Sequence, residues 1–98
     1  MRIDLVTLFP DMIRTCCGYG IPRIAIEKGL LDLQTWNPRD YASNRHRNVD
    51  DRPYGGGPGM VMQVQPVADA IAAARAQGGG PVMYLSPQGR RLDQMAVR

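Results

Sequence analysis

Apolar residues come in bunches along this chain, and the spacing within each bunch changes from one to the next. Ile3, Leu5, Val6 and Leu8 form a near-continuous apolar run with β-branched members, which predicts a buried strand from Arg2 to Leu8. Phe9-Pro10-Asp11 ends that run and opens a helix expected from Asp11 to about Cys17, with the proline where its missing N–H costs least. Gly18 and Gly20 stop it, and a second helix is expected from Pro22 to Lys28, with Gly29 suited to its left-handed C-terminal turn. Leu31, Leu33 and Thr35 then alternate with Asp32, Gln34 and Trp36, the pattern of a short strand with at least one polar face. From Asn37-Pro38 to about Val64 no periodicity is sustained. It returns in Val67, Ala70, Ile71 and Ala74, a helical stripe expected to run from Gln65 to about Gln77 with Pro66 near its first turn. Gly78-Gly79-Gly80 ends this helix, Pro81-Val82-Met83-Tyr84-Leu85 predicts a short buried strand, and Leu92, Met95 and Ala96 predict a further helix.

The order of strand, helices, strand, long loop, helix, strand, helix indicates an α/β domain with a mostly parallel sheet and right-handed crossovers. About three strands are few for a parallel sheet buried on both faces, so the chain is expected to be the front portion of something larger. A hydrophobic share of 44% against 21% charged residues excludes a disordered chain. The net charge of +3 comes from eleven arginines and one lysine, Lys28; arginine's planar fork suits phosphate and guanine, although charge alone does not make a nucleic-acid protein. Cys16 and Cys17 are adjacent, with no other cysteine to build a disulfide framework or a metal-ligand spacing, which points to a reduced, cytoplasmic setting. No apolar stretch approaches the roughly 20 residues of a membrane span, and no signal peptide is expected at Met1-Arg2-Ile3-Asp4.

The candidate chemistry falls into two stretches. In the first, Asp50-Asp51-Arg52-Pro53-Tyr54-Gly55-Gly56-Gly57-Pro58-Gly59-Met60 joins a glycine-proline kernel to paired carboxylates and a tyrosine. It follows the cluster Arg39, Asp40, Arg45, His46 and Arg47. Its prolines and glycines exclude helix and central strand, and the glycines let a ligand approach the main chain. A phosphate loop is excluded because no Lys-Ser/Thr follows the last glycine, and a dinucleotide fingerprint because the glycines do not join a strand to a helix. His46 is the only histidine, so a His-centred metal site is not expected. Adjacent Asp50 and Asp51 diverge too much for a coupled pair; one is read as a hydrogen-bond acceptor for substrate and the other as structural, in either order. The methionines, Met60 and Met62 among them, are expected to fill core space. The second stretch, Tyr84-Leu85-Ser86-Pro87-Gln88-Gly89, leaves the last expected strand in an abrupt turn, where ligands of open parallel sheets bind.

Together with Gln65-Pro66, Leu8-Phe9-Pro10 and Trp36-Asn37-Pro38-Arg39-Asp40-Tyr41, these two stretches resemble the bacterial tRNA (guanine-37-N1) methyltransferase family over essentially the whole chain. The resemblance implies a trefoil-knotted α/β methyltransferase of the SPOUT class, a homodimer that moves a methyl group from S-adenosylmethionine to guanine N1 beside the tRNA anticodon. By this resemblance Tyr84, Leu85, Ser86, Pro87, Gln88 and Gly89 form one wall of the cofactor site. Arg45, His46, Arg47, Asp50, Asp51, Arg52, Tyr54, Gly55, Gly56 and Gly57 face the tRNA anticodon loop. Magnesium is implied as an aid, without a visible ligand set. Family members are more than twice as long. Residues 1–98 are therefore expected to be the N-terminal part of the cofactor-binding domain, inactive alone, with the knot-forming segment, the general base and the C-terminal tRNA-binding domain beyond Arg98. The alternatives are a non-catalytic RNA- or nucleotide-binding module and a structural fragment that associates with itself through its unfinished sheet.

Overall fold

A computed structural model describes residues 1–43, 49–51 and 61–98. Strand β1 (Arg2–Val6) leads into helices α1 (Pro10–Cys17) and α2 (Gly20–Glu27) and then strand β2 (Asp32–Trp36). β1 and β2 are parallel, in register from Arg2 opposite Asp32 to Val6 opposite Trp36. A parallel pair needs a crossover, and the two helices supply it. The sequence marks both helix ends. Pro10 occupies the first turn of α1. At the end of α2, Gly29 takes a φ of +73°, Gly29 N–H donates to the Ile26 carbonyl (3.1 Å) and Leu30 N–H to the Ala25 carbonyl (2.9 Å). That pair of bonds is a Schellman motif, and it needs the left-handed residue that glycine provides.

A 3-10 turn (Pro38–Tyr41) follows β2. Beyond it a two-residue antiparallel ladder joins β3 (Asp50–Asp51) to β4 (Val61–Met62), and helix α3 (Val64–Gln77) begins at once. The expected long loop thus carries short structure at both ends. α3 packs chiefly on the 3-10 turn and also touches β1 and β2. Its stripe is used as expected: Ala70 and Ala74 are buried, Val67 and Ile71 half-buried. Val49, Pro38 and Pro66 complete the most deeply buried set, so the core lies between the helix and the turn rather than on the sheet. Met62 does not join it and stands 47% exposed.

Residues 81–85 do not form the expected strand, and among the described residues the parallel sheet has two strands, not three. Val82, Met83, Tyr84 and Leu85 are all exposed. Their composition suits a strand, but a strand exists only through ladder bonds to a neighbour. The free edge of β1 lies instead across a cleft of about 440 Å³, lined by Ile3, Val6, Ile71, Ala74, Pro81 and Met83 among others. A short helix α4 (Gln94–Val97), capped by the Asp93 side chain on the Ala96 N–H (2.9 Å), stands fully exposed. No helix among the described residues is long and apolar enough to cross a membrane.

Candidate functional site

The first candidate stretch is approached through the 3-10 turn. The Asn37 side chain accepts from Arg39 N–H (3.0 Å) and its carbonyl accepts from Asp40 N–H (3.0 Å), so the asparagine-proline pair that breaks β2 also builds the turn. Pro38 is buried beneath it, leaving Arg39 and Asp40 exposed. The turn's last carbonyl, that of Tyr41, accepts from Gln65 Nε2 on α3, which also reaches Asp69.

On the other side, Val49 is 2% exposed, and its carbonyl accepts from the Gln63 main-chain N–H (2.6 Å). Gln63 Nε2 donates to the Asp50 carbonyl (3.0 Å). Asp50 pairs with Met62 and Asp51 with Val61, so residues 52–60 connect two paired strands. The Asp50 side chain is exposed. Of the expected tRNA-facing residues, only Asp50 and Asp51 fall within the described part. Arg45, His46, Arg47, Arg52, Tyr54, Gly55, Gly56 and Gly57 lie outside the described residues, as does Met60.

The second stretch is an ordered turn without the strand expected to lead into it. Ser86 fastens it twice: its hydroxyl accepts from Gln88 N–H (3.2 Å) and its carbonyl from Gly89 N–H (3.0 Å). A Cβ at Gly89 would sit 3.3 Å from that carbonyl, so a larger residue crowds the turn. Tyr84 and Leu85 precede it at 89% and 85% exposure. An apolar pair beside a fixed main-chain edge is able to hold the flat and polar faces of a small ligand. Among the described residues no hydrogen bond or ion pair joins this turn to Asp50.

Electrostatics concentrate elsewhere, at the sheet. Asp4 accepts from Trp36 Nε1 (2.9 Å) and pairs with Arg2 (3.2 Å). The Arg2 hydrogen bond, seconded by the Trp36 indole, holds the Asp4 carboxyl below its ordinary range, and the same contact raises the Arg2 guanidinium. Three features of the site region escaped sequence reasoning: the anchors Gln63 and Gln65 and the Asp4–Trp36 bond. Periodicity carries no signal for polar residues that act on the main chain; only the adjacency of both glutamines to a helix start could have pointed to them.

Comparison with known proteins adds the following. A family model described as tRNA (Guanine-1)-methyltransferase TrmD matches residues 1–98. The tRNA (guanine-N(1)-)-methyltransferase of Salmonella newport (strain SL254) is 60% identical over 99 residues, which is 99% of this chain and 39% of that protein. The protein of the same description from Salmonella typhimurium (strain LT2) matches at 60% with the same coverage. The crystal structure of tRNA (m1G37) methyltransferase from Aquifex aeolicus matches 99% of this chain and 44% of its own, at 35% identity and a TM-score of 0.86. The chain therefore spans about two fifths of the length of these relatives, and its mixed α/β architecture with parallel strands matches that part of the solved structure.

Proposed function

The chain belongs to the tRNA (guanine-1)-methyltransferase family, and from that premise we propose that the protein carrying these residues transfers a methyl group from S-adenosylmethionine to N1 of guanine 37 in tRNA. The observation that carries this reading is the extent of the likeness, which runs from residue 1 to residue 98 and takes in both candidate stretches. Residues 1–98 are then the N-terminal part of the cofactor-binding domain of a knotted, homodimeric, cytoplasmic enzyme. The remaining length of the relatives would supply the knot, the general base and the tRNA-binding domain.

In this reading Tyr84 to Gly89 form one wall of the cofactor site. The exposed Tyr84-Leu85 pair offers apolar contact, and the Ser86 turn fixes the main chain beside it, a combination that fits a nucleoside cofactor. S-adenosylmethionine, when bound, supplies a methyl group already activated on sulfur, so alignment with the acceptor nitrogen is the protein's main task. Guanine N1 carries a proton and needs a base as the methyl arrives, while charge grows on O6. Arg45, His46, Arg47, Asp50, Asp51, Arg52, Tyr54 and Gly55 to Gly57 make up the tRNA-facing side; the arginines neutralise phosphate, and a carboxylate accepts from the donor edge of an unstacked base. Magnesium finds no fit here: among the described residues no three His, Cys, Asp or Glu side chains are grouped to hold a metal ion, and no step is assigned to it.

The deciding experiment is methyl transfer to a tRNA with guanosine after the anticodon, using the protein at its relatives' full length. Transfer to N1 of that guanosine is expected. Asp50→Ala and Arg47→Ala should weaken turnover or tRNA binding more than cofactor binding. Absence of methylation by the full-length protein would sink the reading.

A further inference from the structure

Two glutamines at the start of α3 have no part in the reaction as set out above, yet both hold main-chain carbonyls, Gln63 at the acidic pair and Gln65 at the end of the 3-10 turn. Gln63 grips Val49 and Asp50, using its backbone N–H for one carbonyl (2.6 Å) and its side-chain amide for the next (3.0 Å). Gln65 grips the Tyr41 carbonyl at the end of the 3-10 turn. One turn of helix thus ties down two places that are distant in sequence. The ties are rooted: Val49, Pro38 and Pro66 are the largest fully buried side chains. Between them they leave the Asp50 carboxylate exposed while its carbonyl is satisfied.

We propose that Gln63 and Gln65 are positioning residues for the substrate side of the methyl transfer. Gln63 fixes the main chain at Val49 and Asp50, and Gln65 fixes the end of the 3-10 turn at Tyr41, so that an acceptor carboxylate meets the guanine edge from a pre-set backbone at a reduced ordering cost on binding. The inference rests on the functional reading above and adds to it which residues outside the RNA-facing set determine RNA affinity. The donors are specific. A carbonyl accepts, so the partner must carry a donor hydrogen at the reach of a glutamine Nε2. Gln63 also sits at φ −67° with extended ψ, as the residue before a helix, so replacing its side chain leaves the backbone geometry unforced.

The test uses the full-length protein, steady-state kinetics with tRNA, and calorimetry with S-adenosylmethionine. Gln63→Met and Gln65→Met keep side-chain length and lose the donor. Each should raise KM for tRNA about 3- to 10-fold, the worth of one neutral hydrogen bond. Cofactor Kd and kcat at saturating tRNA should stay within about twofold, the pattern of lost binding rather than lost chemistry. Gln63→His, whose Nε2–H has a similar reach, should return KM to within about twofold of wild type, while Gln63→Glu, shaped like glutamine but without a donor, should behave like the methionine variant. Met variants with an unchanged KM overturn the proposal. So does a parallel loss of cofactor affinity, which marks general loosening, or a His variant no better than Met. A wild-type protein that methylates no tRNA removes the functional reading and this proposal with it; an active wild type with indifferent Met variants removes this proposal alone.

Discussion

The region around the start of α3 and the stretch from Gly78 to Arg98 are two walls of one proposed site, yet they are held by opposite means. The first is built on burial: Ala70 is wholly inaccessible, Val49, Pro38 and Pro66 are buried as well, and glutamine bonds reach across more than ten residues. The second is built on local bonds alone. Ser86 holds Gln88 and Gly89, and Asp93 holds Ala96, each no more than three residues away, with the apolar side chains in solvent. The contrast teaches where each wall draws its order. Burial couples the first to global stability, while the second is free to rearrange at small cost and so suits a surface completed by a ligand or by further chain.

The sharpest way to break this comparison is a matched pair of charges. Ala70→Asp buries an unpartnered carboxylate and should cost about 3–5 kcal/mol of unfolding free energy, whereas Leu85→Asp should stay within about 0.5 kcal/mol. Denaturant melts of both measure it, and equal losses would show that the second wall is packed after all. Next in size, Ser86→Ala removes one local bond and should weaken S-adenosylmethionine binding by about 1 kcal/mol, roughly fivefold by calorimetry, without moving the melting midpoint; a shifted midpoint would tie the turn to the core.

A subtler effect sits at the boundary, where Gly78 lies against Asp4, with a Cβ there meeting its carboxylate at 3.3 Å. Asp4 is held below its ordinary pKa by Arg2 and Trp36. Its stabilising contribution is therefore complete above the unfolded-state value, near pH 4, and is lost as pH falls through the lower folded value. Asp4→Asn should flatten the acid limb of a stability profile while leaving neutral-pH behaviour of the Ser86 turn unchanged. The smallest effect belongs to the exposed Arg23–Glu27 pair on α2 (3.0 Å): Glu27→Gln should cost about 0.2–0.5 kcal/mol by thermal melting, less in high salt.

What was legible in the sequence follows the same division. α1, α2 and α3 are marked by signals that the fold itself uses: Pro10 at a first turn, Gly29 in a left-handed cap, the Val67-Ala70-Ile71-Ala74 stripe against the 3-10 turn; β1 and β2 form as expected, but β1 is not the buried strand its apolar run predicts, because α3 covers little of it and Ile3 and Val6 stay exposed. Residues 81–85 have equally apolar composition, but composition states only a tendency to be buried and does not supply the neighbour. The β3–β4 ladder was invisible for the opposite reason. Asp50 and Asp51 are poor strand formers, and the ladder is supported by the burial of Val49 just before them and by Gln63, which ties the main chain at Val49 and Asp50. For the site, the Ser86 turn was legible from its serine, proline and glycine, while Gln63 and Gln65, which act through backbone carbonyls, leave no periodic trace.

Trp36 is the chain's single tryptophan, and its indole N–H is committed to Asp4 on the neighbouring strand. Within residues 1–98, ultraviolet fluorescence is therefore a one-position gauge of whether β1 and β2 stand together. Red-shifting emission on acidification times the parting of the strands, and far-ultraviolet circular dichroism times the melting of the helices α1, α2 and α3 taken together. Two clocks in one cuvette would tell whether the sheet and the helices let go at once or in turn.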